Sequence, residues 1–463
     1  MAFVFEHTTR IAVLGGGPGG YEAALAGAQL GAEVTLVERS AVGGAAVLTD
    51  VVPSKSLIAT AAAAVAVRES PALGVRFNGS DDEPPIGIDL AAVNRRLTGL
   101  ARQQSADMTA QLTRAGVRIV IGDGRLGGEG LVVGTEEIPA DVIVVATGAS
   151  PRELDHARPD GERILTWKQL YTLKEVPEHL IVVGSGVTGA EFASAYRSLG
   201  ARVSLVSSRD QVLPGEDADA AAVIEEVFRR NGMHVFSKSR AERVTRTADG
   251  VRVDLGDGRV VEGSHCLMAV GAIPNTAGIG LEEAGVQLTD SGHVRVNRVA
   301  RTSVPSIYAA GDCSDFLPLA SVASMQGRTA VFHALGDVVI PTELRNVTSN
   351  IFTQPEVATV GWGQKQIEEG IAQGAIYKLD LHTNPRAKML GITDGFVKLF
   401  ARTGSGTVIG GVVVAPTASD LILPIALAVE RRLTVDQLAR VFSVYPSLSG
   451  AITDAARALH IVD

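Results

Sequence analysis

Two glycine clusters carry the plainest chemistry in this 463-residue chain: Gly15-Gly16-Gly17-Pro18-Gly19-Gly20 and Gly184-Ser185-Gly186-Val187-Thr188-Gly189. Each contains G-x-G-x-x-G, the turn that brings backbone N–H groups and a helix N-terminus against a pyrophosphate. The glycines have separate duties. Gly15 and Gly184 allow the tight turn, Gly17 and Gly186 let the backbone approach the phosphates, and Gly20 and Gly189 let helix and strand pack closely. One such turn is a weak signal, because glycine turns are common. The two here recur at a constant offset of 169 residues: Gly15 to Gly184, Gly17 to Gly186, Gly20 to Gly189 and Glu22 to Glu191.

The flanking elements complete the pattern. The apolar run Arg10 to Leu14 reads as a strand, an Ala-rich helical stretch follows the first turn, and Glu33 to Glu38 reads as a second strand ending in an acid. Glu38 lies 23 residues after Gly15, where a carboxylate accepts from ribose hydroxyls. The second copy begins with the strand Leu180 to Val183 and carries Ser207, Ser208 and Arg209 where the first has its acid. Without a carboxylate there is no repulsion of a 2′-phosphate, and Arg209 can attract one, so the second nucleotide reads as NADPH or either form. Arg209 as a solvated loop charge is the competing reading. A carboxylate placed at Ser207 is expected to favour NADH.

Composition sets limits. The length calls for several domains, and 46% hydrophobic residues suffice to build their cores. A net charge of −9 with scattered Lys and Arg shows no footprint for nucleic acid. The opening MAFVFEHTTR lacks the basic and apolar regions of a secretory signal, and the apolar tract Leu421 to Val429 is too short for a transmembrane segment. The chain reads as cytoplasmic. Cys266 and Cys313 stand alone, with neither a C-x-x-C pair nor a metal-ligand cluster, and read as buried thiols.

Further motifs are Val142-Ile143-Val144-Val145-Ala146-Thr147-Gly148-Ala149-Ser150-Pro151, Ser306-Ile307-Tyr308-Ala309-Ala310-Gly311-Asp312, Pro53-Ser54-Lys55 and Tyr445-Pro446-Ser447-Leu448-Ser449. With these motifs in the family's order along the sequence, the chain resembles the flavoprotein disulfide reductases, which include dihydrolipoamide dehydrogenase, glutathione reductase and mercuric reductase. The resemblance runs from about Arg10 to about Ala456. It implies an α/β homodimer with two Rossmann-like nucleotide-binding domains and a C-terminal α+β dimerisation domain. FAD would occupy residues 1–150 with 272–345, NAD(P) residues 151–271, and the interface domain residues 346–463. The FAD set would comprise Gly15, Gly17, Pro18, Gly20, Glu38, Gly44, Ala45, Lys55, Thr147, Gly148, Gly311, Asp312 and Ala320, and Gly271, at the junction of the two nucleotide domains, is a further cofactor-binding candidate. The NAD(P) set would comprise Gly184, Gly186, Val187, Gly189, Glu191, Ser207 and Arg209. The resemblance pairs Lys55, beside flavin N5, with Glu191, makes Val187 the gate of the nicotinamide site, and puts Asp312 on the ribityl-phosphate arm. A helix starting near Ala320 would point at the pyrimidine end of the ring.

The departures carry the functional expectation. The family motif G-G-T-C-x-x-x-x-C-x-P-S-K appears here as Gly43-Gly44-Ala45-Ala46-Val47-Leu48-Thr49-Asp50-Val51-Val52-Pro53-Ser54-Lys55, with Ala46 and Val51 at the cysteine positions. The family's C-terminal H-P-T-x-S-E has Tyr445 for the His and Gly450 for the Glu. One catalytic device is lost at four positions together, while the nucleotide fingerprints remain. The chain is similar to the quinone-reducing branch of the family, which shares G-G-A-A-V-L and Y-P-S-L-S-G. That implies NAD(P)H as co-substrate, FAD as cofactor, and a quinone or other small two-electron acceptor. The catalytic candidates are Lys55, Glu191 and Tyr445. Tyr445 serves as proton donor or stacking face, or else as a core residue filling the volume of the lost histidine; Asp50 is a weaker candidate. A soluble pyridine nucleotide transhydrogenase and a flavin-bearing subunit without turnover stay open, though the latter would not need Lys55 and Glu191.

Overall fold

The computed structural model describes residues 8–76 and 86–460, so the outer ends of the expected first and last domains lie outside the described residues. The chain divides into two compact units. The first comprises Met1–Ser56, Asn94–Arg152 and Gly271–Leu344; the second comprises Leu57–Val93, Glu153–Val270 and Arg345–Asp463.

The first unit is built on a five-stranded parallel sheet in the order Ile307–Ala309, Val142–Val145, Arg10–Leu14, Glu33–Glu38, Arg118–Ile121. Its central strands are continuous apolar runs, as expected of strands covered on both faces; Val13, Leu36, Val144 and Val145 are fully buried. Helix Pro18–Gln29 crosses from the first strand to the second, and helix Ala320–Ala334 packs beside it. An antiparallel three-stranded piece, Gly124–Gly127, Gly130–Val133 and Glu136–Pro139, lies in the connection before Val142–Val145.

The second unit repeats this plan. Its parallel sheet runs His234–Phe236, Arg202–Val206, His179–Val183, His265–Met268, Ile164–Leu165, with helix Val187–Ser198 as crossover and the antiparallel strands Ala241–Arg246, Val251–Leu255 and Val260–Gly263 before His265–Met268. The register repeats too: Leu14 pairs Val37 in one sheet and Val183 pairs Val206 in the other. The same unit carries an antiparallel sheet in the order Thr348–Ile351, Glu356–Gly361, Val408–Ala415, Phe396–Ala401, Ala375–Asp380, covered by helices Leu423–Glu430 and Gly450–Ala458. The fold is thus α/β, with two Rossmann-like sheets and an α+β C-terminal part.

Among the described residues one helical stretch, Gly44–Leu73, is long and apolar enough to cross a membrane by length and composition, with a window mean hydropathy of 1.4. It exceeds Leu421 to Val429 because its alanines extend the apolar count across Lys55. Its Val47, Ser54, Leu57 and Ala61 are buried within the protein.

A buried ion cluster ties two parts of the second unit together. Lys398, on strand Phe396–Ala401, is 1% exposed, and its ammonium donates to Asp217 (2.8 and 2.9 Å) and Gln364 (2.8 Å) and lies 2.7 Å from Asp219. Asp217 also caps helix Ala218–Arg230 by accepting from the N–H groups of Asp219 and Ala220. The bond to Lys398 holds the Asp219 carboxyl below the usual carboxylate range. Lys398→Met therefore leaves a buried carboxylate without its counter-charge, and it should lower the stability of the second unit by about 3–5 kcal/mol in urea unfolding. An unchanged midpoint would mean the cluster does not hold these elements together.

Candidate active site

At Gly15 and Gly20 of the first glycine turn the backbone leaves no room for a side chain. Gly15 has φ +103°, and a Cβ on Gly20 would stand 1.8 Å from the Gly15 carbonyl oxygen. The second turn copies this: Gly184 has φ +111°, and a Cβ on Gly189 would stand 1.9 Å from the Gly184 oxygen. The N-caps of the two following helices, Gly17 (φ −66°, ψ −176°) and Gly186 (φ −72°, ψ −173°), offer no side-chain cap. The space above each is open, with no atom within 4 Å of a Cβ built there. Uncapped N–H groups facing open space at a helix N-terminus form a cradle for phosphate, so both turns fit a dinucleotide.

Around the first turn the structure gathers several expected residues at the C-terminal ends of neighbouring parallel strands. Glu38 is buried, and its carboxylate accepts from the N–H groups of Gly16 (2.7 Å) and Ser40 (2.9 Å). Gly44 packs on the turn, where a Cβ would come 2.7 Å from the Gly17 Cα; exposed Ala45 follows. Thr147 and Gly148 follow Val142–Val145, and Asn275 holds them: its amide donates to the Thr147 oxygen and its N–H to the Gly148 oxygen, both at 2.9 Å. The Gly271 oxygen accepts from the Arg152 N–H at 2.9 Å. Buried Gln326 accepts from the Gly311 N–H at 2.9 Å and donates to Ser314 at 3.2 Å, fixing the turn before Asp312. Burial pushes the Asp312 carboxyl above its ordinary range. A helix does start at Ala320. Asn275 and Gln326 escaped sequence reading because neither belongs to a motif; each acts by satisfying the backbone of one.

Lys55 is half-buried on helix Val51–Glu69, and Ala46 and Asp50 are half-buried just before it. Lys55 belongs to the first unit and Glu191 to the second. Glu191 is 4% exposed and accepts from the Phe352 N–H at 2.9 Å. Val187, at the start of its helix, is exposed. Ser207 is fully buried and bonds Ser185 hydroxyl to hydroxyl at 2.7 Å, while its oxygen accepts from the N–H of exposed Arg209 at 3.1 Å.

Tyr445 is 82% exposed, so it is not a core residue filling the lost histidine's volume. That core is closed instead by Ala451, Ile452, Ala455 and Ala456 of the next helix, leaving Phe442, Val444 and Tyr445 outside. Cys266 and Cys313 are buried, and burial raises both thiol pKa values.

Residues 9–327 match the pyridine nucleotide-disulphide oxidoreductase family, and residues 347–456 match its dimerisation domain. The chain belongs to this family. It is 53% identical to a Mycobacterium tuberculosis protein named NAD(P)H dehydrogenase (quinone), over 97% of this chain and 94% of that one. It is 31% identical to the Bacillus subtilis dihydrolipoyl dehydrogenase, over 99% of both. The crystal structure of LpdA from Mycobacterium tuberculosis superimposes with a TM-score of 0.93 at 52% identity, over 98% of this chain and 100% of that one. As a pyridine nucleotide-disulphide oxidoreductase, the protein is an FAD-dependent enzyme that uses NAD(P)H, and it carries the family's dimerisation domain.

With both thiols buried, the native holoenzyme should release no thionitrobenzoate from Ellman's reagent, and the denatured chain should release two equivalents. A fast-reacting thiol in the native protein would contradict the placement of Cys266 and Cys313.

Proposed function

We propose that the protein is a homodimeric NAD(P)H:quinone oxidoreductase that delivers electrons to its acceptor without a disulfide relay. One observation carries this reading. Ala46 and Val51 stand at the two relay positions while both of the chain's cysteines are buried elsewhere, and both nucleotide turns are intact. The relative named NAD(P)H dehydrogenase (quinone) supports it.

In this reading residues 1–150 with 272–345 hold FAD, residues 151–271 hold NAD(P)H, and residues 346–463 form the interface between copies. Bound FAD would supply the two-electron redox chemistry, which this chain, with no cysteine at either relay position, does not offer from its own side chains. The turn at Gly15, Gly17 and Gly20 holds its pyrophosphate, and Glu38, already fixed by two backbone N–H groups, orients a ribose. Asp312 serves the ribityl-phosphate side, on a turn kept in place by Gln326. Lys55 contributes a fixed positive charge where negative charge develops, and Glu191, buried on the helix after the second turn, is the catalytic acid. The turn at Gly184, Gly186 and Gly189 holds the nicotinamide nucleotide, with Val187 at its mouth. Tyr445, exposed and so available, gives the acceptor a phenolic proton or a stacking face.

The test is steady-state NADH and NADPH oxidation by the holoenzyme against a naphthoquinone, a benzoquinone, lipoamide, glutathione disulfide and the opposite nicotinamide. The quinones should be turned over. The two disulfides should not, since no thiolate is placed to attack their sulfur bond. Lipoamide reduction at a rate comparable with the quinone rate would overturn this reading, and rapid transfer to the opposite nicotinamide would make the enzyme a transhydrogenase.

A further inference from the structure

The loop that leaves strand Arg202–Val206 folds back onto the second glycine turn, and it is held there from a distance. At its apex Val212 is 0% exposed and Leu213 is 1% exposed. The Leu213 N–H donates to the Ser185 oxygen, inside the turn, at 2.9 Å. Leu213 stands at φ +54°, a left-handed conformation that a leucine side chain disfavours. The apex therefore keeps this shape only while its surroundings impose it. Helix Ala218–Arg230 and its start do so. The Val212 N–H donates to the Glu225 carboxylate at 3.1 Å, and the Glu216 N–H, directly before the helix cap, donates to the Leu213 oxygen at 3.1 Å.

The start of that helix is held in turn by the dimerisation sheet. The cap residue Asp217 has a side chain only 5% exposed, and its two oxygens accept from the Lys398 ammonium at 2.8 and 2.9 Å. Gln364 accepts from the same ammonium at 2.8 Å, so Lys398 is itself fixed. Within the second unit a continuous path thus runs from Lys398 through Asp217 and Glu216 to Leu213 and Ser185. Without the ammonium, a buried carboxylate at Asp217 loses its counter-charge and is driven toward water. Asp219 beside it is already 42% exposed, which marks the way out. Such a movement carries Glu216 with it and pulls on the bond that shapes Leu213.

We propose that Lys398 is a positioning residue for the nicotinamide nucleotide: acting through Asp217, it keeps the loop of residues 207–216 closed on the second glycine turn, so that affinity for NAD(P)H depends on a side chain of the dimerisation domain. The proposal rests on the second turn being the NAD(P)H site and is independent of the acceptor. By linkage, bound nucleotide stabilises the ion cluster to the same extent that the cluster favours binding.

The experiment compares FAD-loaded wild type, Lys398→Met, Leu399→Ala, Glu225→Ala and Gly189→Val, well below their melting temperatures and with ferricyanide as acceptor. It measures KM and kcat for NADH and NADPH, together with deuterium uptake by residues 208–216. Lys398→Met should raise KM by roughly threefold to thirtyfold while kcat at saturation stays near wild type. Uptake by residues 208–216 should rise while strand His179–Val183 stays protected. Leu399 lies on the other face of the same strand, in the core beneath the C-terminal helices. Leu399→Ala should also lower the melting temperature, through the cavity it opens, but leave KM unchanged. That contrast separates positioning from general stability. Glu225→Ala frees the Val212 N–H and leaves the ion cluster intact. It should raise KM as well, and it carries the test if Lys398→Met does not fold. An unchanged KM in folded Lys398→Met or in Glu225→Ala overturns the proposal, as does an equal rise in Leu399→Ala. Gly189→Val should abolish NAD(P)H oxidation while retaining flavin. Wild-type oxidation by that variant would remove the second turn as the nucleotide site, and this proposal with it.

Discussion

The carbonyl oxygen of the residue opening each glycine turn sits where the Cβ of the residue five positions on would be, less than 2 Å away for both Gly20 and Gly189. That approach draws the crossover helix onto its strand and points the helix N-terminus across the strand end. The open ground above Gly17 and Gly186 follows from it, as does the row of strand ends on which Thr147, Gly148, Gly311 and Asp312 are set. A single methyl group at either point would push apart the two elements that make a phosphate cradle.

Use of the same device twice lets chemistry diverge through small side-chain changes on a constant backbone. One copy keeps a buried carboxylate braced by two N–H groups, and the other a hydroxyl pair. In the proposed function the same economy applies to the relay. The frame around Gly44 and Lys55 is kept, and the thiols are replaced by Ala46 and Val51, so the family's flavin chemistry is joined to a different acceptor. The exposed Phe442 and Val444 lie in the dimerisation domain, where a second copy would be their natural cover.

Much of the fold was legible because its signals are local and repeated. The strand, glycine turn, helix and strand from Arg10 to Glu38 recur at fixed spacing, and each piece follows from backbone sterics. The ion cluster of Lys398 with Asp217 was not legible, since its partners are far apart in sequence and belong to different sheets and helices. Asn275 and Gln326 were hidden because they serve the backbone of motifs they do not belong to. The hydroxyl pair of Ser185 and Ser207 did leave a trace. Gly16 and Glu38 both change to serine at the same offset, a paired difference that only the hydrogen bond between Ser185 and Ser207 makes meaningful. The exposure of Tyr445 depended on which neighbouring helix fills the C-terminal core, which no local pattern near Pro446 records.

The claim on which the functional account turns is that the relay is gone while the flavin chemistry stays. Anaerobic dithionite titration of the holoenzyme, followed through the flavin spectrum, tests it most directly. The account predicts complete reduction at one two-electron equivalent per FAD, with no long-wavelength charge-transfer band from a thiolate. Uptake of a second equivalent, or appearance of that band, would contradict it.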